Sequence, residues 1–371
     1  LVFDSVKKSL IRGLVLFQRS GSRAFGPIYR LPQWFDQKNW MDREQGRGIG
    51  KAMTARTDTI DGAAARPAAR PASTDQPFQP LDYGLYALTV IAWSASWFAI
   101  ELQVGSGVSN EVNLVWRFAI ATVLMFAWAR FSGRRLRFPL SDHLRFAALG
   151  VLIFSSNFLF FYYGAGYLVS GLLSVVFSLA SVINMLLGAL IMRERPSPRI
   201  LAGGLIGFAG IALMFFPEIA AHGLSGGTMT GLLLCLCGTL SFCAGNLVSA
   251  SNQRRGLPLV STSAWGMLYG TLWSSFLAFL LGKPFIIDPS ISYLGSLIFL
   301  AVISTVMAFA AYLTMLGRIG AARAGYATVI FPVFALLIST ALEGYIWTAY
   351  AIIGLAFVAA GNVLVIRGGR K

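Results

Sequence analysis

The chain has 371 residues, 56% of them hydrophobic and only 12% charged, with a formal net charge of +15. That charged share is about half of what a soluble domain carries, so a water-soluble globule is excluded. A basic balance of this size suggests a nucleic-acid binder, but the hydrophobicity and the placement of the charge exclude that partner.

Residues 1–80 hold 13 basic and 7 acidic side chains, one residue in four charged, whereas residues 81–371 hold 17 and 8, about 9%. The first piece reads as a basic, disordered segment and the second as membrane. Ala63 to Pro80 (AAARPAARPASTDQPFQP) is Ala/Pro-rich and cannot bury enough apolar surface to offset ordering entropy. Upstream, Val2, Phe3, Val6, Leu10, Leu14 and Phe17 recur at roughly helical spacing beside Lys7, Lys8, Arg12 and Arg19, a pattern of membrane-surface helices. The competing expectation is an over-extended gene model, since the chain begins with Leu and Met41 and Met53 are later candidate starts. No secretory signal is expected, because Arg12 breaks the run Leu10 to Phe17.

A membrane helix needs about 20 apolar residues, so charges mark the ends of spans. Asp82–Glu101 and Glu111–Arg130 each enclose one span, the second interrupted only by Arg117. Arg145 to Arg193 encloses 47 uncharged residues, room for two spans hinged at Gly164-Ala165-Gly166. Arg199–Glu218, Glu218–Arg254, Arg255–Lys283, Asp288–Arg318, Arg323–Glu343 and Glu343–Arg367 complete an expected set of ten. Alternate connections then separate by charge. One set carries Arg130, Arg134, Arg135, Arg137 and Arg145, then Arg193, Arg195 and Arg199, then Arg254 and Arg255, then Arg318 and Arg323, then the tail. The other carries Lys283 as its only basic residue, with Glu101, Glu111, Glu218, Asp288 and Glu343. The positive-inside rule assigns the first set and both termini to the cytoplasm of a multi-pass protein in the cytoplasmic membrane.

The chain also resembles itself. A displacement of 151 places Gly203 on Gly354, Gly210 on Gly361, Ser181 on Pro332 and Phe158 on Phe309; 149 places Trp116 on Trp265 and Thr122 on Thr271, and 147 places Ser94 on Ser241. Each unit, 81–217 and 218–371, holds five expected spans. An odd number makes the second unit enter the membrane in the opposite sense, the inverted-repeat architecture of secondary transporters. The expected fold is therefore an all-α integral membrane protein of two inverted five-helix repeats after a disordered N-terminal segment.

Asn157 to Gly171 (NFLFFYYGAGYLVSG), Gly188 to Arg195 (GALIMRER) and Gly203-Gly204-x-x-Gly207-x-x-Gly210 in the first unit, with Leu316 to Ala324 (LGRIGAARA), Pro332-Val333-Phe334-Ala335 and Gly354…Gly361 in the second, resemble the EamA type of the drug/metabolite transporter superfamily. Arg117, in Val115-Trp116-Arg117-Phe118, is similar to the Arg that commonly opens that family's second span. The resemblance covers about residues 82–366. Trp93-Ser94 departs from the family's frequent Trp-Gly, and the repeat partner of Glu194 is Tyr345, with Glu343 two residues early. The resemblance implies export or uptake of small metabolites, often amino acids or drugs, with the lipid bilayer and a small-molecule substrate as partners.

Arg117 sits about two turns inside the outer end of its span, where an ionised group costs ~2–3 kcal/mol on insertion scales. It is read as an anion contact or as a structural clamp, with Glu101 and Glu111 as expected ion-pair partners. Asn157, near mid-depth, must face the interior, toward substrate or another helix. Trp93 and Trp97 share a face one turn apart, with Ser94 and Ser96 beside them, and suit a ring-lined cavity for amphiphilic substrates or plain core filling. Tyr312 is a further candidate contact; Tyr162 and Tyr163 read as contacts or as an aromatic belt. Glu101 is a candidate for coupling, Glu194 reads as a salt bridge, and Pro332 is a candidate hinge or static kink. Asn184 and Asn246 read as helix–helix bonds. Gly203, Gly207, Gly210, Gly266 and Gly270 read as close-packing faces, with a homodimer as the open alternative.

Cys235, Cys237 and Cys243 fall in one apolar stretch and read as packing residues, and His143 and His222 are the only histidines. No disulfide framework, metal site or cofactor is expected, no GxxxxGK[ST] is present, and the chain is not expected to be an enzyme. Non-transporting sensor or scaffold, and intramembrane enzyme on lipid-linked substrates, are the alternatives.

Overall fold

Each apolar interval is helical. The computed structural model describes residues 79–192, 198–222, 227–319 and 326–368. The expectations for residues 1–78 and for Glu194 lie outside these. Among the described residues there is no strand. The helices are α1 (Pro80–Val104), α2 (Asn110–Phe131), α3 (Leu140–Ala165), α4 (Ser170–Ser178 continued by Ala180–Met192) and α5 (Pro198–His222). They continue with α6 (Gly227–Arg254), α7 (Leu259–Leu280), α8 (Ile291–Ile298 through Ala308–Ile319), α9 (Ala327–Leu342) and α10 (Ala349–Gly368). Among the described residues eight helices are long and apolar enough to cross a membrane by length and composition. The others are α9, which has 16 residues, and α7, whose Ser, Thr, Gly and Trp content lowers its hydropathy.

Helix ends follow local chemistry. Asp82 accepts the Gln79 N–H at 3.0 Å and Pro80 opens α1, where its missing donor costs nothing. Ser290 caps the start of α8 by accepting the Tyr293 N–H. α2 and α7 close alike. Gly133 (φ +64°) lets the Arg134 N–H reach back to Ala129 O at 2.8 Å, and Gly282 (φ +62°) lets that of Lys283 reach Ala278 O at 2.8 Å. These turns stand 149 residues apart, and so do the positive-φ glycines Gly107 and Gly256. The same interval separates the starts of two π-helical stretches, Gly150–Asn157 inside α3 and Phe299–Met307 inside α8.

The large apolar side chains divide between an outward shell and a core. Ile91, Val123, Leu205, Phe279 and Ile291 point outward, while Gln103, Asn113, Arg117, Asn157, Ser170, Ser174 and Asn362 are buried. A bundle in lipid has this distribution, since polar groups find partners only inside. The glycine faces do pack closely within the chain. A Cβ on Gly203 would stand 2.7 Å from Gly361 O, and one on Gly210 2.6 Å from Gly354 O. As residue numbers rise on α5 they fall on α10, so the two helices run antiparallel. Gly266 and Gly270 of α7 likewise pack on Leu149 and Phe154 of α3, and a Cβ on Gly150 would meet Gly266 O at 2.5 Å. α2 and α7 also oppose each other, with Phe126 against Trp265 at 5.1 Å and the Trp116 indole donating to Ile286 O just past α7.

Candidate functional site

Arg117 is the one charged side chain of α2 away from its ends, and it is 2% exposed. Its guanidinium lies over the Phe158 ring at 4.3 Å and the Phe118 ring at 5.3 Å. Nη2 donates to Thr305 Oγ1 at 3.3 Å, and the Tyr162 hydroxyl lies beside the group. Nε and Nη1 are buried without an acceptor. Thr305 belongs to the π-helical stretch of α8, and Phe158 directly follows that of α3. Cation–π contact partly replaces the water a buried guanidinium has lost. It does not neutralise the charge.

Neither carboxylate expected to pair with Arg117 forms an ion pair with it among the described residues. Glu111 accepts the Tyr163 hydroxyl. Glu101 lies one turn past Trp97 on α1, and the charge acting on it is that of Glu343, beyond the end of α9. Among the described residues Glu101 forms no ion pair with Arg117, and its Oε2 is buried without a hydrogen-bond partner. Arg318 forms an ion pair with Asp82, at 2.5 Å. Tyr162 is fully buried with its hydroxyl on Gln103 Oε1, so it is an interior group; Tyr163 is 39% exposed. Only Tyr163 fits the aromatic-belt reading.

The aromatic candidates stand in and beside the core. Trp97 is 7% exposed and packs on Phe161 (5.0 Å), Phe177 (5.5 Å) and Phe331 (6.5 Å). α3, α4 and α9 each send a phenyl ring to it. Trp93 contacts Tyr312 of α8 at 5.1 Å. The Ser96 hydroxyl donates to Trp93 O in its own helix, while that of Ser94 reaches Val90 O and, across the bundle, Phe331 O at 3.0 Å. Phe331 adjoins Pro332, which lies within α9 and is buried. Asn157 is 2% exposed; its Nδ2 donates to Ile153 O, and its Oδ1 has no partner. Asn246 donates to Asn184 at 3.4 Å, as a helix–helix bond should. Cys235 and Cys243 are buried and Cys237 is exposed.

Two contacts between distant segments stand at opposite ends of the bundle. At one, Glu343 Oε2 accepts the Ser170 N–H at 2.9 Å and Ser339 Oγ accepts that of Gly171 at 2.8 Å, so α9 caps the first turn of α4. Gly171 is required there, since a Cβ would stand 2.8 Å from Leu336 Cα. At the other, Arg318 near the end of α8 holds Asp82 at the start of α1. Neither contact was foreseeable from spacing, because the partners lie more than 160 residues apart. A groove of about 550 Å³ between α3 and α6 is lined by Arg145, Ser251 and Arg254, and an apolar one of about 360 Å³ by Val151, Tyr269 and Trp273. Among the described residues no cluster of His, Cys, Asp or Glu could hold a metal.

Long apolar helices, an outward apolar shell and buried polar groups within an apolar core define a multi-pass membrane protein. The chain belongs to the EamA-like transporter family, whose sequence profile matches twice, at residues 83–216 and 229–367. It is similar to an uncharacterized transporter of Archaeoglobus fulgidus, 28% identical over 76% of this chain and 97% of that one. The uncharacterized inner membrane transporter YedA of Escherichia coli is 26% identical over 78% and 91%. A probable amino-acid metabolite efflux pump of Salmonella typhimurium is 25% identical over 54% and 69%. A protein crystal structure 17% identical to the chain has a TM-score of 0.56 over 77% of this chain and 96% of that one, a likeness of fold.

Proposed function

We propose that the chain is a ten-span secondary transporter, two five-helix units of opposite sense, that exports small organic metabolites across the cytoplasmic membrane by alternating access. In this reading α7 and α9 also cross, and both termini face the cytoplasm. The observation that carries the architecture is the exchange of glycines between α5 and α10. Gly203 and Gly210 align in sequence with Gly354 and Gly361, yet Gly203 meets Gly361 and Gly210 meets Gly354. A two-fold axis between antiparallel helices requires that crossed pairing. The turns and π-helical stretches recurring at 149 residues support the same relation.

The contacts at the two ends support alternating access. Ser339 and Glu343 join the second unit to α4 of the first, and Arg318 joins it to α1. Opening toward one side releases one contact while the other holds. The substrate path runs between them, past Arg117, Asn157, Trp93, Ser96, Trp97 and Tyr312, with Pro332 loosening α9 beside the ring cluster by removing a helical hydrogen bond. Export is favoured by the relative named an amino-acid metabolite efflux pump.

The test is a metabolite screen in proteoliposomes containing the full chain, run with and without a proton gradient. Saturable movement of one or more small organic solutes, absent from empty vesicles, is expected. Vesicles that move none would refute the transport reading.

A further inference from the structure

The buried guanidinium of Arg117 lies between the two π-helical stretches, with Nε and Nη1 unused and no ion-pair partner among the described residues. We propose that it seats the carboxylate of the transported molecule, so that the substrates are organic monocarboxylates with an apolar or aromatic body. The proposal rests on the transport reading and deepens it.

Arginine stays protonated in proteins, so the charge is permanent. What surrounds it is neutral: the Phe158 and Phe118 rings, Thr305 and Tyr162. Thr305 gives its hydroxyl hydrogen to Leu300 O at 2.7 Å and offers Arg117 a lone pair. Tyr162 gives its hydrogen to Gln103. Neither supplies negative charge. Nε and Nη1 remain without an acceptor although the side chain is 2% exposed. A clamp built only for stability would pair its charge, because an unpaired buried charge is the costliest arrangement available. A planar guanidinium with spare donors matches the two oxygens of a carboxylate. The π-helical stretches add to this. Such wide turns cost hydrogen-bond regularity and occur mostly at functional sites. Here one contributes Thr305 to the guanidinium, and the other ends one residue before Phe158.

The body of the ligand follows from α8. Tyr312, in contact with Trp93, lies seven residues beyond Thr305 on that helix, about 10 Å along its axis. An acid held at Arg117 and extended along α8 meets the Trp93–Tyr312 pair with its apolar end.

The test compares each acid with its neutral amide, using acetate, 3-phenylpropionate and N-acetylphenylalanine with their primary amides. Binding to the purified full chain in detergent is measured calorimetrically, and counterflow is measured in proteoliposomes. The wild type is expected to bind at least one acid, and the aryl acids above acetate. It should prefer the acid over its amide by about tenfold or more, which is about 1.4 kcal/mol. Arg117→Gln should abolish that preference and Arg117→Lys should retain part of it, since the charge persists without the planar fork. A wild type that binds acid and amide alike, or neither, overturns the proposal. So does an Arg117→Gln chain that keeps the acid preference. Should Arg117→Gln not fold, the wild-type comparison and Arg117→Lys decide. Vesicles that move neutral solutes without acid preference sink the carboxylate seat and leave transport standing. Vesicles that move nothing, made from a chain that binds the acid selectively, do the reverse.

Discussion

Gly361→Ala probes the joint between the two halves. The added Cβ would stand 2.5 Å from Gly203 O, 2.7 Å from Gly207 N and 3.0 Å from Gly207 Cα. All three are backbone atoms of α5, so no rotamer change relieves the overlap. Reaching ordinary contact requires α10 to withdraw by roughly 0.5–1 Å, a gap that forfeits about a quarter to a half of the dispersion well of each contacting pair. The Gly210–Gly354 approach, seven residues along, loosens with it. Overpacking of this kind costs about 1–3 kcal/mol, less any helix propensity gained by alanine. A shift of about 2–4 °C per kcal/mol then gives an unfolding midpoint roughly 2–12 °C lower. The assay is thermal unfolding of the detergent-purified chain, with Gly84→Ala in α1 as control, since a Cβ there meets nothing within 4 Å. The control should match or exceed the wild type. Equal midpoints for Gly361→Ala and the control would falsify the close-packed joint.

Other outcomes follow from the same geometry. Ser339→Ala removes the acceptor of the Gly171 N–H and a donor to Glu343, so it should destabilise by about 1–2 kcal/mol in denaturant unfolding, more than Thr314→Ala, whose exposed hydroxyl donates to Ala310 O in its own helix. A double-mutant cycle with Asp82→Asn and Arg318→Gln should give a coupling of about 0.5–1 kcal/mol, modest because Arg318 is partly exposed; zero coupling would remove that contact from the account of closure. With the native cysteines replaced, Lys283→Cys should react with an impermeant thiol reagent on intact cells and Arg134→Cys only after permeabilisation. Labelling of both from one side overturns the proposed topology.

Much of the fold was legible because lipid imposes a simple rule. Apolar intervals between charges became helices, and glycine faces became close contacts, since only a missing side chain permits backbone approach. Other features escaped. The π-helical stretches lie in runs that are apolar on every side, where no periodicity distinguishes a wider turn from an ordinary one. Glu101 and Glu111 were plausible partners for Arg117 by depth, but depth does not specify azimuth. α3 brings Tyr163 to Glu111, and Glu101 forms no ion pair with Arg117 among the described residues.

The opening imbalance of charge divides in the same way. By itself the sequence determined the helical class, the positions of the apolar helices and the alternation of basic and acidic connections, because these depend on local composition. It also determined that one arginine enters the bundle. Tertiary structure alone decided that this arginine meets phenyl rings, a threonine and a tyrosine hydroxyl rather than a carboxylate. The same holds for Trp97, whose partners come from α3, α4 and α9. Such contacts depend on how helices distant in sequence rotate against one another, and that rotation is set by packing of the whole bundle.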